Sequence, residues 1–327
     1  MSYSIPAPGA ARITLALLAV VPAVMAYPWQ STRAYWLIGI AVAASILLFG
    51  WWRGLHFTTI LRRRLAIVRR GGRPVPEPDA NTRTTAVVRL GPASSATGTL
   101  PLPVIARYLD CYGIRADSIR ITSRHDGSGA ADSWVGLTLS AVDNLAALQA
   151  RSARIPLHET AEVAARRLAD HLREIGFDAN TVAAEDVPEV LAIEAGNSSR
   201  ETWRAVQQGE SDYVAAYRIK ADSGLPETLA EVRAQQAREI WTALEIADSG
   251  THYTVAAACA LRTDAAPAGT APVAGLTLER GNQRPALQAL DPLSTRRLDG
   301  HAQAPADLLQ RLDWPTAQGP SATLSRT

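Results

Sequence analysis

The sequence has little cysteine. Only Cys111 and Cys259 occur in 327 residues, which excludes a disulfide framework and fits two free thiols in a reducing compartment. Lysine is nearly absent: of 33 Lys and Arg residues only Lys220 is a lysine, which reads as codon bias and carries no chemical message. Net charge is also small, at +2, and without the arginines near the N-terminal apolar runs the remainder is mildly acidic. A nucleic-acid partner needs a basic face on the folded domain, so none is expected. There is no Gly-rich phosphate loop, which excludes nucleoside triphosphate hydrolysis by that route.

What is present in quantity is apolar residues near the N-terminus. Ile13 to Tyr27 and Ala34 to Trp52 are uncharged runs joined by a short link that carries Arg33. As a helix the second run would be about 28 Å long, close to the roughly 30 Å apolar thickness of a bilayer. The expectation is a two-helix transmembrane hairpin over residues 13–52, retained rather than cleaved as a signal, because the second run follows too closely to leave a mature N-terminus. Trp29, Tyr35, Trp36, Trp51 and Trp52 stand where interfacial aromatic belts would lie, since an indole favours a site with one apolar and one wet end. Arg53, Arg62, Arg63, Arg64, Arg69 and Arg70 follow the second run and Arg12 precedes the first, against Arg33 alone in the link. That asymmetry predicts an inner-membrane protein with both termini cytoplasmic. Membrane anchor and interface residues are therefore Trp29, Arg33, Trp36, Trp51, Trp52, Arg53, Arg62, Arg63 and Arg64.

Beyond the runs, Phe57, Leu61, Leu65 and Val68 repeat at helical spacing among arginines. Such a helix can lie on anionic headgroups, continue toward a partner, or act as a stop-transfer flank. Gly71-Gly72 ends it, and a Pro-rich linker follows to residue 83. The predicted organisation is a cytoplasmic N-terminus at 1–12, the hairpin at 13–52, a basic helix and linker at 53–83, a cytoplasmic α+β domain at 84–282, and an extension at 283–327 whose last residues, Pro315 to Thr327, are too polar to order.

Within 84–282 one order occurs twice. Thr84 to Leu90 reads as a strand, Pro101 to Tyr112 as a helix, and Asp117 to Arg124 with Trp134 to Leu139 as a hairpin. Asp212 to Ala221, Leu225 to Arg238, and Ile240 to Ala247 with Tyr253 to Leu261 repeat it, which suggests a duplicated βαββ unit with antiparallel pairing. Between them, Leu157 to Ile175 is a helix with Ala164, Leu168, Leu172 and Ile175 on its apolar stripe.

No catalytic constellation emerges. Asp248-Ser249-Gly250-Thr251 has the form of an aspartic-protease tetrapeptide but lacks a second copy, and its residues are those of a hairpin turn. His158-Glu159 begins a zinc-binding spacing that would need histidine at position 162, where Glu162 stands. No metal, cofactor or small-molecule substrate is expected. The competing reading is a membrane-tethered enzyme acting on a lipid or cell-wall precursor at the inner leaflet, with Asp126 and Asp132 as its carboxylates. It requires a deep pocket of convergent polar groups.

Several stretches carry a resemblance. They are Ala19 to Trp29 with Tyr27-Pro28-Trp29-Gln30-Ser31-Thr32, the close of the second run on Gly50-Trp51-Trp52-Arg53-Gly54, Asn144 to Ser152, and Glu159 to Leu168. Together they resemble EccE, the membrane component of the actinobacterial type VII (ESX) secretion systems, and in length the chain is similar to the shorter members, including that of the ESX system linked to iron and zinc acquisition. The resemblance implies a non-catalytic structural subunit of an inner-membrane assembly, docking through its cytoplasmic domain and membrane helices. It also implies EccB, EccC and EccD as partners, with EccC supplying the ATPase.

Overall fold

The computed structural model describes residues 10–25, 27, 32–49, 51–52, 55–70, 82–93, 99–127, 131–152, 155–192, 199–250, 252–305 and 307–315. The chain forms two compact units, Met1–Gly71 and Gly72–Thr327.

In the first unit, helix α1 (Ala10–Met25) packs on α2 (Thr32–Phe49), and a two-residue ribbon pairing Trp51–Trp52 with Leu55–His56 leads into α3 (Phe57–Arg70). The expected transmembrane hairpin is corrected here: among the described residues no helix is long and apolar enough to cross a membrane. The apolar runs and the helices do not coincide. Helix α1 has 16 residues, about 24 Å of rise against a core of about 30 Å. It also takes in Arg12 and stops at Met25, and α2 holds Arg33 in its first turn. The uncharged part inside each helix, 13–25 and 34–49, is thus shorter than the helix itself. Of the small residues on α2, Ala41 is buried while a Cβ on Gly39 would meet open space.

The second unit is built on one antiparallel sheet. Its main strands are β1 (Arg83–Ala93), β2 (Ile114–Asp126), β3 (Ala131–Ser140), β4 (Phe177–Thr181), β5 (Tyr213–Ile219), β6 (Glu239–Asp248) and β7 (Tyr253–Thr263). They lie in the order β4-β1-β3-β2-β6-β7-β5, extended past β5 by Val206–Gln208 and Ser199–Glu201. The strand, helix, strand, strand order recurs as β1, α4 (Leu102–Ala106), β2, β3 and then β5, α6 (Leu225–Arg233), β6, β7. The halves are arranged head to head, so that β2 pairs with β6 at the centre, with Arg120 opposite Glu245 and Thr122 opposite Ala243.

Both faces of the sheet are covered, and this decides which residues become core. One face carries Val88, Ile119, Ile121, Leu137, Leu244 and Val255 and is covered by α4, α5 (Leu157–Glu174), α6 and the segment ending at Trp314. Helix α5 sits with Ala161, Ala165, Leu168, Ala169 and Leu172 inward, leaving Ile175 exposed at its end. Its alanines let the backbone lie near the strands, and each buried leucine contributes about 1.5–3 kcal/mol. The opposite face carries Val87, Trp134, Val214, Trp241 and Ala256 beneath Val187–Leu191 and the segment from Gln283 to Leu298. Residues from Gln283 onward, set apart by composition, thus supply a layer of the core, including fully buried Leu287, Leu290 and Trp314. Of the tail expected to lack order, residues 316–327 lie outside the described residues.

Gly136 shows how tightly that second layer lies. A Cβ there would come 2.6 Å from the Pro292 carbonyl oxygen, a backbone atom with no rotamer to escape by. Gly136→Ala is expected to destabilise the unit by about 1–3 kcal/mol through overpacking, read as a lowered midpoint in urea unfolding.

Candidate functional site

The residues expected to meet a membrane are placed unevenly. Trp29 and Arg53 lie outside the described residues, as do the side chains of Arg33, Trp51 and Trp52, whose backbones belong to α2 and the ribbon. Trp36 is exposed on α2. On α3, Arg62 and Arg64 are exposed and Arg63 is half-buried. Leu61 and Val68 on the apolar stripe of that helix are 63% and 77% exposed. Within its unit α3 is an amphipathic helix that leaves Leu61, Leu65 and Val68 exposed and Ile60 and Ile67 half-buried.

The carboxylates of the enzyme reading do not assemble a site. Asp132 is held by Arg89 at 2.7 Å on the surface. Asp126 is exposed at the rim of an open hollow of about 640 Å³ that also meets His125, Arg233 and the paired Arg238 and Asp264. There, burial and the nearby Arg233 lower His125, so its imidazole is neutral at pH 7. Asp248-Ser249-Gly250 is a hairpin turn: Asp248 accepts from the Gly250 amide at 2.8 Å, and Gly250 has φ of +88°. Among the described residues no group of three or more His, Cys, Asp or Glu side chains could hold a metal ion. Burial pushes the Cys259 thiol up, which leaves it inert.

One polar cluster was invisible in the sequence. Arg120 and Glu245 are cross-strand neighbours whose side chains meet at 2.5 Å, both fully buried. The guanidinium also donates to the carbonyls of Asp291 and Ser294 at 3.2 and 2.9 Å and to that of Arg296. Glu245 accepts from the Leu298 amide at 3.3 Å and meets His301 Nε2 at 3.0 Å. Strand alternation places both residues on the side read as wet, and the covering segment comes from far along the chain. The cluster is a rivet that ties 291–298 to the sheet.

A more apolar hollow of about 240 Å³ lies between α5 and the turn before β2. Its floor is Ile114, Leu137 and Leu139, and its walls include Val163 and Ala164 of α5 and Pro156. Cys111 pairs with Ile114 across a two-residue loop, Tyr112-Gly113, with φ of +56° and +70°. Such a tight hairpin normally takes Asn-Gly, and a tyrosine held there costs about 1–2 kcal/mol. The sequence pattern reads this stretch as a helix stopped by Gly113, whereas the helix ends at Ala106 and one 3-10 turn follows. Tyr112 is 64% exposed, and the Arg167 guanidinium lies 4.5 Å from its ring centroid. Behind it, Tyr108 hydrogen-bonds the Arg167 carbonyl at 3.2 Å, and burial together with Tyr112 pushes its hydroxyl up to about 12. Arg151 stands at the far end and donates to its own helix at the Ala147 carbonyl. Among the described residues neither Arg151 nor Arg167 has a carboxylate partner, and Glu159 also lines the hollow. Exposed Val142, Leu145 and Ile155 occupy the segment that supplies Arg151 and Pro156 to the lining.

The second unit is thus an α+β protein that buries an ionic cluster within its layers and leaves open a largely apolar hollow with Arg151, Glu159 and Arg167 in its lining. A family model described as "Putative type VII ESX secretion system translocon, EccE" matches residues 128–219, which include β3 and α5, floor and wall of the hollow. The ESX-3 secretion system protein EccE3 of Mycobacterium tuberculosis (strain CDC 1551 / Oshkosh) is 64% identical over 312 residues, covering 94% of this chain and 93% of that protein. That of strain ATCC 25618 / H37Rv is likewise 64% identical over the same coverage. The protein of the same name from Mycolicibacterium smegmatis (strain ATCC 700084 / mc(2)155) is 51% identical over 293 residues, 89% of this chain and 91% of that one. This chain belongs to the EccE family of type VII (ESX) secretion components.

The rivet generates an acid-sensitivity prediction. Burial alone would raise the Glu245 carboxyl, but Arg120 and the His301 hydrogen bond outweigh it and hold it below the usual range. A depressed folded pKa gives stability that is present above the unfolded value of about 4.3 and lost as pH falls through the folded one. Arg120→Ala, which leaves a buried charge unpaired, should cost about 3–5 kcal/mol at pH 7. Denaturant unfolding of the variant should also show less stability lost between pH 5 and pH 3 than the parent.

Proposed function

We propose that this chain is a non-catalytic subunit of an ESX-3 type VII secretion complex, held at the cytoplasmic face of the inner membrane and docked to other subunits through residues 72–327. The observation that carries this is the apolar hollow with its exposed rim, on a unit whose buried ionic cluster serves packing. The names of the mycobacterial relatives support the ESX-3 assignment. Resemblance to the family supports EccB, EccC and EccD as the neighbouring subunits, with ATP hydrolysis supplied by EccC. The scattered placement of Asp126 and Asp132 supports a role in contact over chemistry.

The lipid contact in this proposal is α3. Its exposed apolar stripe and its arginines suit a helix lying in the interface, with the apolar side down and each basic residue worth about 1 kcal/mol near an anionic surface.

Two experiments test the proposal. Truncation after Gly71 should abolish co-purification of the tagged protein with the secretion complex; a truncated protein that still assembles would show that the dock is elsewhere, and turnover of a substrate by the purified chain would end the non-catalytic reading. Separately, replacing Arg62, Arg63 and Arg64 with Gln should weaken sedimentation with anionic vesicles by about 3 kcal/mol, near 100-fold. Undiminished binding would remove α3 as the lipid contact.

A further inference from the structure

Resting on that docking role, we infer that the hollow between the Tyr112-Gly113 turn and α5 receives one aromatic or branched apolar side chain from an acidic segment of another subunit of the complex. Size points to a side chain. At about 240 Å³ the hollow is below the roughly 300–1,000 Å³ of sites that enclose small molecules, and interface anchors are side chains buried in pockets of the partner. The floor of Ile114, Leu137 and Leu139 offers nothing to a polar group.

Charge selects the flanks of that anchor. Arg151 and Arg167 stand at the mouth with no carboxylate partner among the described residues, against the single carboxylate of Glu159. A guanidinium held over an aromatic ring still has N–H donors to offer a carboxylate. Tyr112 provides that ring. It occupies a backbone position that favours asparagine or glycine, a cost set against an edge-on contact with the Tyr108 ring 6.5 Å away and the seat it gives Arg167, whereas a bound segment gains a preset lip and an oriented cation. Tyr112 is a positioning residue, and Arg167 and Val163 make the contact.

The test uses full-length, tagged protein in cells that assemble the complex. Tyr112→Asn suits the turn better than the native residue, so its melting temperature should equal or exceed that of the parent while co-purified partner subunits fall at least tenfold. Arg167→Glu, at an exposed position, should give the same loss with an unchanged melting temperature. A photo-crosslinking residue in place of Val163 should capture a partner segment that combines an aromatic or branched apolar residue with Asp or Glu. If both variants co-purify like the parent while truncation after Gly71 does not, the hollow is not the contact although the docking role stands. If the truncated protein also co-purifies, the docking role itself fails. Capture of a basic segment or of lipid at position 163 would overturn the inference outright.

Discussion

The sheet of the second unit depends on the pairing of β2 with β6, because that seam joins two halves that otherwise share no strand. Arg120 and Glu245 face each other across it, at 2.5 Å and out of water. A buried ion pair is costly to desolvate and is tolerated only when its remaining donors and acceptors are satisfied. Here the carbonyls of Asp291, Ser294 and Arg296, the Leu298 amide and His301 complete the set. The pair therefore couples strand register to the covering segment, since a one-residue slip of either strand would send its charge to the opposite, aliphatic face and leave the other unpaired.

From that constraint the two faces acquire different tasks. The face under 283–298 is closed by backbone contacts as tight as Pro292 over Gly136, with Trp134 and Trp241 stacked 5.9 Å apart beneath. The other is layered with helices, and a sheet twists while helices are straight, so α5 cannot meet the strands along its whole length. The gap at its N-terminal half is the hollow beside Tyr112. Val163 of the helix and Tyr112 of the turn are left exposed at that gap.

Several features were legible in the sequence for plain reasons. Alternation of Val135, Leu137 and Leu139 with Gly136 and Thr138 marks a strand by its period of two, and the β-hairpin turn at Asp248-Ser249-Gly250 follows from residues that close their own backbone bonds. The doubled βαββ order was readable because each element carries its own periodicity. The reading failed where a local pattern has more than one meaning. Residues 13–52 are apolar enough to suggest membrane spans, yet helix ends that take in Arg12 and Arg33 leave no described helix suited to crossing. Residues 283–314 look like an extension because Ala, Pro, Gln and Asp break any sustained apolar period, but Leu287, Leu290, Leu308 and Trp314 are placed where they complete the core.

By itself the sequence determined the element types, the repeated order, the family and the lack of a nucleotide loop, since all of these are written in local spacing or in long stretches of shared identity. Only the tertiary structure decided that Arg120 meets Glu245, that a distant segment roofs the sheet, and that Tyr112, Arg151, Val163 and Arg167 stand around one hollow. Those are contacts between residues tens to more than a hundred positions apart, and no local periodicity encodes which distant chain segment will cover a given face.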